Sequence, residues 1–238
     1  MSTTPMTRMY RVVRTVSIPI VRHWGRIEVV GAEHLPASGP TLVIGNHDSY
    51  WDPVAVAVAA PHRQIRALAK STLWKGPLGW VLDGMGQIPI QRGKGDAAAM
   101  ATAIQELRAG SCIGVFPEGT MSRGRTLRAR SGIGRLAQEV PEAEVVCIAI
   151  QGTVDIVRFP KRPSIRIEFF RPAGGGVQPG EGPAEFSARM LAECRERAPI
   201  SIPGRRRTAA RYRAAQAAAA AEDAAGRDAE SGVATPTA

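Results

Sequence analysis

Short apolar runs alternate with longer stretches of helical composition along most of this chain, and that alternation narrows the fold more than any other feature. Segments 26–30, 41–44, 65–69, 87–91, 111–116, 145–150 and 164–169 read as strands, set off by turn-forming glycine, proline, asparagine and serine. Between them, 52–60, 71–82, 97–108, 134–140 and 185–197 read as helices, the third ending at Gly110. Strand and helix in regular turn predict an α/β fold: a single domain with a largely parallel central sheet flanked by helices. With 238 residues, one such domain plus an N-terminal amphipathic helix and a C-terminal tail accounts for the chain. The expected divisions are 1–24 for the basic helix region, 25–203 for the α/β domain and 204–238 for a tail rich in arginine and alanine.

Charge is placed unevenly. The formal net charge is +10, and the first 26 residues contribute five arginines (Arg8, Arg11, Arg14, Arg22, Arg26) and no acid. A basic end on a nearly balanced body suits an anionic partner, either nucleic acid or a bilayer surface. No recognised nucleic-acid motif is present and aromatics are only 5%, too few for base stacking, so no nucleic acid is expected. Residues 6–16 set Met9, Tyr10, Val12, Val13 and Val16 against Arg8, Arg11 and Arg14, a pattern for an interfacial helix or for one packed on its own domain. Pro19 is expected to bend or end it. Cys112, Cys147 and Cys194 are dispersed and odd in number, which argues against a disulfide framework and against a metal site. Arginines break every apolar run near the N-terminus, and no stretch reaches the roughly 20 apolar residues of a spanning helix. Any membrane contact is therefore expected to be peripheral, at the cytoplasmic membrane surface.

The strand at 41–44 runs straight into Gly45-Asn46-His47-Asp48-Ser49, and Asp52-Pro53 reads as the N-cap and first residue of the next helix. Polar residues just past the carboxyl end of a strand stand where α/β proteins place their sites. A histidine there can take a proton from a hydroxyl and return it to a leaving group, provided a carboxylate fixes its tautomer through the other ring nitrogen. Asp52 can fold back onto His47 across a tight loop, while the adjacent Asp48 would find that geometry harder. The plainer alternative is a helix cap beside an ordinary loop histidine.

Asn46-His47, with four residues between the histidine and Asp52, resembles the first signature of the glycerolipid acyltransferases, the family of 1-acylglycerol-3-phosphate acyltransferase. Three further blocks follow in that family's order: Gly86-Gln87-Ile88-Pro89-Ile90-Gln91-Arg92, then Phe116-Pro117-Glu118-Gly119-Thr120, then the strand at 145–150. The resemblance covers about residues 31–153. It implies that His47 is the base, that Asp52 orients it, and that Arg92, Glu118, Gly119 and Thr120 bind the acceptor. On residue chemistry alone, Arg92 can grip a phosphate bidentately or be a solvated charge at a strand end. Glu118 can accept from acceptor hydroxyls, orient the arginine that holds phosphate, or belong to a structural turn. Where the family often has arginine directly after the threonine, this chain has Met121, and the next arginine is Arg123. The acid-free run with Arg123, Arg125, Arg128, Arg130 and Arg135 reads as a solvated face or as a site for an anionic donor or headgroup.

The resemblance implies acyl transfer from acyl-CoA or acyl carrier protein to the hydroxyl of a lysophospholipid, with lysophosphatidate the commonest acceptor and no further cofactor. Glycerol phosphate, other lysophospholipids and lyso-aminolipids are alternative acceptors. A basic binding protein without catalysis is the alternative of another class.

Overall fold

A computed structural model describes residues 5–91, 96–157, 160, 162–202, 210, 213, 214 and 217. The tail expected at 204–238 therefore lies outside the described residues except at those last four positions.

The apolar runs do become strands: β1 (Glu28–Val30), β2 (Thr41–Gly45), β3 (Ile65–Lys70), β4 (Ile88–Ile90), β5 (Cys112–Val115), β6 (Glu144–Gln151) and β7 (Arg166–Phe170). They form one sheet in the order β1-β7-β6-β2-β5-β3-β4, with every neighbouring pair parallel except β6 and β7. In the central register Leu42 lies beside Ile113 of β5 and Val145 of β6. All five residues of β2 are buried, the condition a strand covered on both faces demands of its sequence.

Helices fill both faces: α1 (Arg8–Ile18), α2 (Asp52–Ala59), α3 (Pro77–Gly84), α4 (Ala97–Arg108), α5 (Gly132–Glu139) and α6 (Pro183–Arg197). Period-two alternation sorts the strand side chains between two cores. Leu42, Ile44, Cys147 and Ala149 pack with Leu107 of α4, Leu136 of α5 and Phe186 and Met190 of α6. Val43, Val146, Ile148 and Ile150 face the other way, onto Ala55, Val58 and Ala59 of α2. Full burial of an isoleucine such as Ile44 is worth about 1.5–3 kcal/mol, and Ile44→Ala, which leaves a cavity as well, would cost about 2–5 kcal/mol.

Two details set the geometry near the site. Because β2 leads into α2 on one face and β5 leads into α5 on the other, the carboxyl ends of these adjacent strands border a crevice. Gly134 lets α5 meet α6 closely, since a Cβ there would stand 2.0 Å from the Pro183 carbonyl oxygen.

In the N-terminal segment the α-helix ends at Ile18, with Pro19 at its cap position as expected, and the path continues as a π-helical turn over Pro19–Trp24. A register change at this point accommodates the N–H that proline lacks. Tyr10 and Val21 are buried, α1 rests on α2 and α3, and Val12, Val16 and Ile20 are left exposed. Among the described residues no helix is long and apolar enough to cross a membrane.

Candidate active site

His47 stands two residues past the end of β2, and five positions later Asp52 opens α2. His47 Nδ1 lies 2.9 Å from Asp52 Oδ2. The same oxygen accepts from the backbone N–H of Asp48 at 2.7 Å and of Ser49 at 2.8 Å, while Oδ1 accepts from the Thr153 hydroxyl. This corrects the capping assignment. Asp52 is the first residue of α2, Trp51 takes the cap position without a side-chain bond, and the Asp52 carboxylate turns back into the loop instead of onto the helix.

With a carboxylate at Nδ1, that nitrogen carries the ring proton and Nε2 keeps its lone pair. Nε2 has no protein partner among the described residues, yet no buried side-chain nitrogen or oxygen is left unsatisfied, so Nε2 meets solvent. The ring is otherwise enclosed: it stacks on Phe116 with centroids 4.3 Å apart and planes 9° from parallel.

The loop after β5 fixes the backbone around the histidine. Glu118 Oε2 accepts from the His47 N–H at 2.6 Å, and Ser122 N–H donates to the His47 carbonyl at 2.8 Å. On the opposite flank, Asn46 donates to the Ile150 carbonyl at 2.9 Å and accepts from the Ile150 N–H at 2.8 Å, tying the end of β2 to β6.

Asp48 and Glu118 converge on Arg195 of α6, which neither motif spacing nor local composition marks. Its guanidinium bonds Asp48 at 2.8 and 3.0 Å and Glu118 Oε1 at 2.5 Å, and the Ser122 hydroxyl also donates to Asp48. Burial pushes the Glu118 carboxyl above its ordinary range, with Arg195 and the His47 amide pulling the other way. Burial also works against the charge of Arg195, but its bonds to Asp48 and Glu118 outweigh that and hold its pKa up.

The other expected residues are placed as follows. Glu118 is 3% exposed and both its oxygens are engaged, one by the His47 N–H and the other by Arg195, a residue that the sequence motifs did not single out. Gly119 has φ +66°, and a Cβ there would stand 2.5 Å from Arg130 Nε, so the turn requires glycine. Thr120 is exposed at the turn. Arg123, Arg125 and Arg130 are exposed on the loop joined to His47 through Ser122, and among the described residues no carboxylate pairs with them. Arg92 lies outside the described residues. No group of three or more potential metal ligands occurs among the described residues.

A loop histidine held by a carboxylate at the carboxyl end of a central parallel strand defines an α/β site with a positioned base, and the chain belongs to the acyltransferase family, whose model matches residues 26–151. Human 1-acyl-sn-glycerol-3-phosphate acyltransferase alpha is 33% identical over 132 residues, 53% of this chain and 47% of its own length. Lyso-ornithine lipid O-acyltransferase of Pseudomonas aeruginosa is 34% identical over 108 residues, 44% of this chain and 40% of its own. The matched stretches thus span about half the length of these curated relatives or less. The fold is similar to the crystal structure of PlsC, the 1-acyl-sn-glycerophosphate (LPA) acyltransferase of Thermotoga maritima. That alignment has a TM-score of 0.53 and 20% identity, and covers 79% of this chain and 80% of that one.

Proposed function

We propose that this protein transfers a fatty acyl group from a thioester, acyl-CoA or acyl carrier protein, to the hydroxyl of 1-acylglycerol-3-phosphate. The observation that carries the reading is the His47 ring, held through Nδ1 by buried Asp52 with Nε2 open to solvent, inside the stretch that matches the family. Nε2 takes the proton of the acceptor hydroxyl as its oxygen attacks the thioester carbonyl. The tetrahedral adduct then collapses, breaking the carbon–sulfur bond, and the imidazolium returns its proton to the departing thiolate. Asp52 keeps the ring in the tautomer this requires and stabilises the imidazolium as it forms.

The acceptor is held in this reading by Arg92 and by the turn at Gly119 and Thr120, and an anionic headgroup or donor phosphate by Arg123, Arg125 and Arg130. The enzyme works peripherally, at the cytoplasmic membrane surface. Exposed Val12, Val16 and Ile20, flanked by exposed Arg8, Arg11 and Arg22, support that placement.

The test is purified full chain with labelled acyl-CoA or acyl carrier protein, offered lysophosphatidate, glycerol phosphate, other lysophospholipids and a lyso-aminolipid. Acylation of lysophosphatidate in preference to the rest is expected. Preference for another acceptor would replace the substrate, and no acylation of any would overturn the reaction.

A further inference from the structure

We propose that Arg195, 148 residues beyond His47 and outside every motif, is the positioning residue of this site, locking the β2 loop to the β5 loop and thereby setting the His47 ring. The connections are continuous. Arg195 forks onto both oxygens of Asp48, the residue after His47, and its Nη2 also reaches Glu118 Oε1. Glu118 in turn accepts the His47 N–H through Oε2, while Ser122 binds the His47 carbonyl and the Asp48 carboxylate. His47 is thus gripped at its N–H and its carbonyl by one loop, and that loop is held at the right distance by a side chain from α6.

The charges explain why an arginine is needed. Asp48 and Glu118 are both buried acids drawn to one place. Without a cation between them the two carboxylates repel, and each carries an uncompensated desolvation cost. A planar guanidinium serves two carboxylates at fixed angles, which a lysine ammonium does not. Without this bridge, the repulsion between Asp48 and Glu118 would work against the bonds that Glu118 and Ser122 make to His47, and the His47 backbone would shift. Displacement of a catalytic group by about 1 Å costs roughly 100-fold in rate.

The rate test rests on the acyl-transfer reading, so a second readout independent of it is included. In full-length protein, Arg195→Met is compared with a variant that neutralises the whole cluster, Asp48→Asn with Glu118→Gln and Arg195→Met, because the single change can unfold the chain by leaving two buried carboxylates unpaired. Expected in the folded variants is a fall in kcat of about 100-fold with KM for donor and acceptor within a few-fold. The Nδ1–H proton resonance of His47, assigned by its loss in His47→Gln, should weaken or shift. The neutralised cluster should regain thermal stability without regaining kcat or the resonance, which separates positioning from mere support of the fold. A folded variant, single or neutralised, that keeps both the wild-type resonance and the wild-type kcat overturns the proposal. A wild type inactive on every acceptor, whose resonance nonetheless responds to Arg195→Met, would count against acyl transfer and leave the positioning role standing.

Discussion

Two groups of arginines flank the same histidine and live under opposite physical regimes. Arg195 is largely withdrawn from water and bonded to two carboxylates, whereas Arg123, Arg125 and Arg130 are exposed and have no acidic partner among the described residues. A largely buried cation whose terminal nitrogens are bonded to two carboxylates has little to spare for a ligand, so what it contributes is geometry. An exposed, unpaired cation fixes little, but its field and its donors remain open to an anion. Residue type does not distinguish the two groups; their surroundings do.

The largest effect should come from the group that both sets of arginines serve. His47→Ala is expected to lower kcat by about 10²–10⁴-fold with an unchanged circular dichroism spectrum. A folded variant within a few-fold of wild type would leave neither group of arginines with a base to assist. Asp52→Asn should follow, losing about 100-fold or more in kcat through the wrong tautomer. It should also lose about 1–3 kcal/mol of stability in denaturant melts, because the buried loop N–H groups lose a charged acceptor. If Asp48→Asn costs more kcat than Asp52→Asn, the orienting carboxylate has been misassigned.

The exposed group should respond differently from Arg195. Changing Arg123, Arg125 and Arg130 together to glutamine is expected to raise KM for the anionic substrate about tenfold at low salt with kcat nearly unchanged, and the difference should close as salt rises. A fall in kcat that persists at high salt would erase the distinction between the two groups. A smaller, few-fold loss is expected in binding of phosphatidylglycerol-containing vesicles when Val12 and Val16 are changed to asparagine. Point changes are preferable to deletion of the segment, since Tyr10 and Val21 belong to the packed interior.

The smallest effect is on stability against pH. Glu118 is raised from its ordinary 4.5, so over a window above that value the folded chain holds a proton that the unfolded chain has released. Stability from this group is complete below 4.5 and is lost as pH rises through the raised value. Glu118→Gln should therefore flatten the decline of Tm as pH rises above 4.5. Equal slopes in the two proteins would mean that Arg195 already compensates the burial.

Local features of the site were legible because their partners are near in the chain. The apolar run 41–44, the turn after it and the five-residue step from His47 to Asp52 are all contained in one strand–loop–helix unit, and the structure brings the pair together. The antiparallel pairing of β6 with β7 was not legible, because an apolar run records burial and not direction. Nor was the partnership of Glu118 with Arg195, 77 residues away, or that of Asp48 with Arg195, 147 residues away. A helix rich in both charge signs, such as 183–197, presents several arginines of equal standing until the fold selects one. Asp52 was misread as a cap for a related reason: the residue type and the following proline suit a helix start, but four donors outside the helix, from His47, Asp48, Ser49 and Thr153, claim the carboxylate.

Every strand that ends inside a protein leaves its neighbour's amide and carbonyl to be claimed by something else, usually water. Here the side chain of Asn46 claims both groups of Ile150, serving as one more rung after β2 itself has turned away. The chain can thus swing out of the sheet at His47 without leaving a thirsty backbone beside the reaction.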